Sequence, residues 1–218
     1  MHFLDAWAEL SVLDLARLLT PLGFLITATF LPGRRVARVA ALVVAGSIPL
    51  LRELATPPWM SACWVALWLM LVFLPGEADG AARKPLARIR GVVESGAVGL
   101  LLGLALGLLL LMAVARQDMS AEETRRAALG AAFMVVGLLH LMLRRHLRRA
   151  MTGFATLGIG LQVLNGAAQG AQLDPSAITG GGVLLAAWLS VVLGFRVASA
   201  RERHAGTAWV SDAHDLHD

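Results

Sequence analysis

The segment VVESGAVGLLLGLALGLLLLMAVA, from Val92 to Ala115, contains a single charged residue, Glu94, near its start. An α-helix rises about 1.5 Å per residue and the hydrocarbon layer of a bilayer is about 30 Å thick, so about twenty apolar residues cross it. This segment is long enough to do so. It therefore predicts a transmembrane helix.

Six more apolar windows share the chain with this one, and short connectors between them hold most of the charge. The seven windows are residues 10–31, 36–51, 59–74, 92–115, 129–143, 150–170 and 178–197. Hydrophobic residues make up 57% of the chain, and the mean hydropathy is +0.69. We predict an all-α, polytopic membrane protein: one integral domain over residues 1–218 with seven transmembrane helices and a polar C-terminal tail at 201–218.

The basic residues predict the orientation of the chain. If seven helices alternate direction, fourteen of the nineteen Lys and Arg residues fall on one side, namely Arg34, Arg35, Arg38, Arg83, Lys84, Arg88, Arg90, Arg144, Arg145, Arg148, Arg149, Arg196, Arg201 and Arg203. The other side receives Arg52, Arg116, Arg125 and Arg126, and Arg17 lies within the first window. Because cytoplasmic connectors are enriched in Lys and Arg, the N-terminus is predicted outside and the C-terminus in the cytoplasm. The expected location is a bacterial inner membrane.

The composition also argues against several classes of function. The high isoelectric point of about 10.8 follows from this topology, and no basic face with stacking aromatic residues indicates nucleic-acid binding. The single Cys63 can form no disulfide within the chain and is not a metal site by itself. The sequence thus predicts no catalytic, cofactor-binding or metal-binding residues, and other membrane subunits and lipids as partners.

Two local patterns predict helix packing and a helix start. Gly99, Gly103 and Gly107 repeat every four residues in the fourth window, and such a ridge lets a neighbouring backbone approach closely. Packing against another helix of this chain is the favoured interpretation, and an interface with another subunit is the alternative. Ser120 and Glu123 have the spacing of a capping box and predict the start of the fifth helix.

Ionisable residues inside membrane helices are usually functional, and here they are few. Asp14 and Arg17 are three residues apart on one face of the first helix and could pair near its outer end. His140 lies one turn from Arg144 near the predicted inner boundary. A hydrogen-bonded structural histidine and a proton carrier are the two interpretations, and the structural one is favoured.

The sixth window carries a stripe of neutral amides. Gln162, Asn165 and Gln169 follow at i, i+3 and i+7, so they share one helical face. Amides can hold interhelical hydrogen bonds or water, but they do not carry a net proton by titration.

The segment LRRHLRRAMTGFATLGIGLQVL, from Leu143 to Leu164, resembles the corresponding stretch of hydrogenase-4 component E. It is more distantly similar to the small three-helix subunits of respiratory complex I and of multisubunit cation/proton antiporters. The basic GRRVARVA entry at Gly33 to Ala40 and the RERHAGT tail at Arg201 to Thr207 occur in the same order as in component E. The resemblance implies a membrane subunit of an energy-converting complex.

One departure from these families bears on function. The resembling families usually carry a buried glutamate in the penultimate helix, where this chain has Gly158, Ile159 and Gly160, and tend to carry a lysine in the third helix, near Cys63 and Trp64 here. Glycine provides no titrating group for a proton relay. We therefore expect a non-catalytic scaffold subunit without its own relay; a small transporter or channel, or an accessory subunit of another respiratory or photosynthetic complex, are the alternatives.

Overall fold

The protein is described by a computed structural model over residues 5–8, 10–31, 33–54, 56–73, 89–116, 119–143, 147–168 and 177–205. Within these ranges the regular structure is entirely helical. A four-residue helix, Asp5–Ala8, precedes seven longer ones: α1 (Val12–Phe30), α2 (Arg34–Ser47), α3 (Pro58–Phe73), α4 (Ile89–Ala115), α5 (Ala121–Leu143), α6 (Leu147–Ala168) and α7 (Ala177–Ala205).

Each long helix matches one of the seven apolar windows. Three are long and apolar enough to cross a membrane: α1, α5 and the part of α7 from Gly180 to His204. Shorter apolar helical segments occur at Pro58–Phe73 and at Gly99–Ala115. The all-α class is therefore confirmed, with three candidate spans.

Local sequence explains where several helices begin and end. The Ser11 side chain accepts a hydrogen bond from the backbone N–H of Asp14 at the start of α1. The predicted capping box before α5 is confirmed, because the N–H of Ser120 donates to Glu123 over 2.9 Å and the N–H of Glu123 donates to the Ser120 hydroxyl over 3.3 Å. This capping starts α5 at Ala121, eight residues before the apolar window.

The second window departs from a single helix. α2 ends at Ser47 and is followed by two 3₁₀ turns, Ile48–Leu50 and Arg52–Leu54. Pro49 has no N–H to donate and restricts the residue before it, so the α-helical hydrogen-bond pattern stops there. The helix is therefore shorter than the window that predicts it.

The helices form a bundle in which α5 and α6 share the most extensive contact. α4 packs on the outer side of α5, α7 packs on α6, and α3 contacts α2, α6 and α7. α1 contacts α2 and α5. The bulkiest fully buried side chains are Trp64 and Trp68 on α3 and Phe133 on α5, and the core around them also includes buried residues of α1, α2, α6 and α7.

Residue pairs give the relative directions of the helices. Gly99 faces Met142 and Gly107 faces Val135, so α4 and α5 are antiparallel. α5 and α6, and then α6 and α7, are antiparallel by the same criterion, whereas α3 and α7 run parallel. The pairs that show this are Gly130 with Leu164, Gly153 with Leu141, Gly158 with Ala187, Gly194 with Met151, Met60 with Gly180, and Cys63 with Trp188.

Candidate functional site

The polar residues inside the bundle are the candidates for function. In the described part of the chain, six polar side chains are at least nine-tenths buried: Thr29, Thr124, His140, Thr152, Thr156 and Gln162. These are hydroxyls, one amide and one imidazole, and none is a carboxylate or an amine. Across the described ranges, the buried interior therefore offers hydrogen-bonding groups and one titratable ring.

His140 on α5 is tied to α1. Its Nδ1 atom lies 3.0 Å from the Thr29 hydroxyl oxygen, and that hydroxyl lies 2.8 Å from the backbone carbonyl of Leu25. A hydroxyl has one hydrogen, so both bonds form together when Thr29 donates to Leu25 and the Nδ1–H of His140 donates to Thr29. This geometry gives His140 the role of a clamp between two helices.

Asp14 and Arg17 lie near the other end of α1. Arg17 Nη1 is 3.4 Å from Asp14 Oδ1, and the Ser11 hydroxyl donates to Asp14 Oδ2 over 2.6 Å. The side chains of Arg17 and Asp14 are 39% and 49% exposed. Fifteen residues of helix separate Asp14 from Thr29, about 22 Å along the axis, so the pair lies far from His140.

Two of the three residues of the predicted amide stripe, Gln162 and Asn165, lie within the described ranges. Gln162 is buried between α3 and the start of α7, where its Nε2 lies 2.9 Å from the position that a Cβ on Gly180 would take, and Met60 lies on the same side. Its Oε1 atom has no hydrogen-bond partner among the described residues. Asn165 is half-buried, and Gln169 lies outside the described residues.

Gly158 sits at the junction of α3, α6 and α7. A Cβ at this position would lie 2.8 Å from the Cβ of Ala187 and 2.8 Å from the indole ring of Trp64. Both neighbours are buried, so the site has no room for a larger side chain without rearrangement of the core. Ile159 is fully buried beside it.

The predicted glycine ridge lies against α5. A Cβ on Gly99 would lie 3.2 Å from the Met142 side chain, one on Gly103 would overlap the side chain of Leu139, and one on Gly107 would lie 2.9 Å from the Val135 side chain. The neighbour of the ridge is therefore a helix of this chain. The opposite face of α4 exposes a row of leucines, including Leu101, Leu108 and Leu109.

Among the described glycines, the closest backbone approach involves four on α5 and α6 that the sequence did not identify as packing residues. Gly130 and Gly137 on α5 face Gly160 and Gly153 on α6, and a Cβ on Gly130 or Gly137 would lie 3.0 Å from the carbonyl oxygen of the facing glycine. Both pairs are spaced by seven residues, about two helical turns, which places each pair on one face. That shared spacing is the signal that could have identified them.

An ion pair that no sequence pattern indicated joins the start of α6 to the end of α7. The Arg148 guanidinium binds the Glu202 carboxylate with two nitrogens, and its Nε donates to Oε1 over 2.6 Å. The same guanidinium lies 5.7 Å from the ring centre of Phe195. α7 continues to Ala205, past the end of its apolar window at Val197, and these contacts join its C-terminal end to the start of α6.

A groove of about 600 Å³ runs along the outer face of α3. Its wall is apolar along the helix, where Ala62, Val65, Ala66 and Leu69 lie at helical spacing. At one end the hydroxyls of Thr56 and Ser61 lie 2.8 Å apart. The groove thus combines a polar end with an apolar length.

Within the described ranges, no group of three His, Cys, Asp or Glu side chains is placed to hold a metal ion. Comparisons with protein-family models, with curated proteins and with solved structures gave no match to this chain. Any functional proposal therefore depends on the chain's own residues.

Proposed function

We propose that this chain is a non-catalytic integral membrane subunit of a bacterial energy-converting complex of the complex-I and group-4-hydrogenase type. In this proposal it crosses the inner membrane seven times, with its N-terminus outside, and supports neighbouring subunits. The resemblance of Leu143 to Leu164 to hydrogenase-4 component E supplies the type of complex.

The observation that carries the proposal is the packing at Gly158. The resembling families usually place a buried carboxylate in this region of the penultimate helix. Here a Cβ would already meet Trp64 and Ala187 at 2.8 Å, and Gln162, one turn further along α6, is a neutral amide. Closely packed apolar groups and an amide support a scaffold role, because a relay needs a group that gains and loses a proton.

The helix directions support seven crossings. α4, α5, α6 and α7 alternate in direction, and α3 runs parallel to α7, as expected when each connector returns the chain to the opposite side. The pair Arg148–Glu202 joins the end of α7 to the start of α6 beside the basic connector at Arg144 and Arg145. This end of the bundle is the one predicted to face the cytoplasm.

The exposed surface supports membrane and subunit partners. α4 contacts α5 through its glycines, while Leu101, Leu108 and Leu109 are each more than 60% exposed. A continuous leucine surface is unfavourable in water and favourable against lipid or another apolar helix. It is therefore suited to the interior of a membrane.

Purification from the native membrane in a mild detergent tests the proposal. The tagged chain is expected to elute in a large assembly whose other members, identified by mass spectrometry, include ion-translocating and electron-transfer subunits. A stable isolated monomer that transports a solute in liposomes would instead establish the transporter alternative. Assembly with an unrelated respiratory or photosynthetic complex would keep the subunit role and overturn the proposed type of complex.

A further inference from the structure

We propose that the groove on α3 binds one phospholipid, with an acyl chain along the apolar wall and an anionic headgroup at the polar end. The inference rests on α3 crossing the membrane, as in the proposed function, and does not depend on which complex contains the chain. The proposed site holds one lipid molecule and is distinct from the general annular layer.

The length of the groove fits one leaflet. From Pro58 to Leu69 the helix advances eleven residues, about 16 Å, and half of a hydrocarbon layer of about 30 Å is about 15 Å. Ala62, Ala66 and Leu69 are exposed along this length, whereas the opposite face of α3 is buried in the core. The small side chains leave a depression as long as an acyl chain.

The polar end lies at the depth expected for a headgroup. Trp59 follows Pro58 at the start of α3 and is 55% exposed. Exposed tryptophans are typical of the membrane–water interface. Thr56 and Ser61 have two hydroxyl hydrogens and use one in the bond between them, so the other can be donated to a phosphate or ester oxygen.

The basic residue closest in sequence to the polar end is Arg52, which does not itself line the groove. Arg52 is exposed and lies in the chain between Pro49 and Thr56, which both line the groove. Its neighbour Glu53 is half-buried, so the arginine is the more accessible charge. A basic residue near the membrane surface strengthens the binding of anionic lipid about fivefold.

Lipid retention measures both the occupancy of the groove and its preference for an anionic headgroup. The protein is reconstituted with equal amounts of phosphatidylglycerol and phosphatidylcholine that carry identical acyl chains, extracted in mild detergent, and examined by native mass spectrometry. We expect one retained lipid per chain, with phosphatidylglycerol preferred about fivefold. No retained lipid above the level of non-specific adducts would overturn the site.

Two pairs of variants distinguish the binding of the acyl chain from the binding of the headgroup. Ala66→Trp fills the groove and should abolish retention, whereas Ala186→Trp, at an exposed alanine on α7, should not. Arg52→Gln should remove the preference for phosphatidylglycerol and keep one lipid bound, whereas Arg116→Gln should leave the preference unchanged. Equal retention in both tryptophan variants would overturn the proposal.

A crosslinking experiment on the unsubstituted protein tests the site even if Ala66→Trp does not fold. A phosphatidylglycerol with a photoactivatable group midway along one acyl chain should crosslink to the peptide 58–73. Crosslinks spread evenly over the exposed faces of α4 and α7 would mean an annular layer and would overturn the site. Loss of the lipid site in a chain that still assembles would leave the proposed function standing.

Discussion

The imidazole of His140 and the hydroxyl of Thr29 join α5 to α1 across 111 positions of sequence, at a distance of 3.0 Å. Both residues lie near the C-terminal ends of their helices, so the bond fixes the two helices side by side at one end of the bundle. The histidine is thereby held in one orientation by a neighbouring helix. A hydrogen bond between helices is the contact that the structural interpretation of His140 expects.

The first prediction is that Thr29 and His140 are energetically coupled. An interhelical hydrogen bond within a membrane protein contributes about 1 kcal/mol, so the variants Thr29→Val and His140→Leu and their combination should show a coupling of about this size in a double-mutant cycle. Unfolding in detergent, followed by circular dichroism, supplies the free energies.

Thr27→Val is the matched control for this cycle. Thr27 lies on the same helix and bonds the carbonyl of Gly23 in the same way, but its side chain is exposed. It should show no coupling to His140. Full additivity of Thr29→Val with His140→Leu would mean that the contact does not stabilise the fold.

The second prediction compares three kinds of glycine. Gly137→Ala should destabilise by about 1–3 kcal/mol, because its Cβ would meet the Gly153 carbonyl and the α6 backbone cannot move aside without cost. Gly103→Ala should cost less, because the end of the Leu139 side chain can shift. Gly23→Ala should be neutral or stabilise by up to about 1 kcal/mol, since open space surrounds it and alanine favours a helix.

Larger substitutions test the ridge itself. Gly103→Leu should lower the thermal midpoint or the yield of the assembled complex, whereas Leu102→Ile should be mild because Leu102 is about half exposed. Equal yields from these two variants would show that α4 does not need its close approach to α5. If the alanine variants destabilised the protein most at Gly23 and least at Gly137, the result would contradict the packing described above.

The order and type of the helices follow from the sequence because each apolar run is long enough to predict a helix without knowledge of what it packs against. The glycine ridge on α4 was also predictable as a contact surface, since glycine at every fourth position of an apolar helix lets a neighbouring backbone approach closely. A partner within this chain was the favoured interpretation, but the identity of the partner helix was not predictable, because a glycine ridge looks the same whichever helix faces it.

Contacts between distant parts of the sequence account for most of what was missed. Arg148 and Glu202 are 54 positions apart, and nothing local to either residue indicates the other. The facing glycines of α5 and α6 are visible only when two helices are compared at once. The depression on α3 depends on which of its faces the core covers, and that is decided by α2, α6 and α7 together.

The third prediction concerns topology. In a background in which Cys63 is replaced by alanine, a cysteine at Gln117 or Gln172 should react with a membrane-impermeant maleimide added outside intact cells. A cysteine at Ala87 or Ala205 should react only after the cells are opened. The physical reason is the fourteen-to-four distribution of basic residues between the two sides, and the reverse labelling pattern would overturn the orientation.

The last prediction is that the chain moves no protons through groups of its own. Gln162→Ala and Asn165→Ala should change stability or assembly by about 1 kcal/mol, the size of an intramembrane hydrogen bond, and leave the number of protons pumped per electron by the parent complex unchanged. His140→Ala should also leave it unchanged, because the ring serves as a clamp to Thr29.

Gly158→Glu should fail to assemble rather than gain activity, since Trp64 and Ala187 occupy the space that its side chain needs, and Gly182→Glu, at an open glycine on α7, is its control. A fall in proton translocation at preserved assembly and electron flux, in any of the three alanine variants, would show that amides, water or His140 complete a relay.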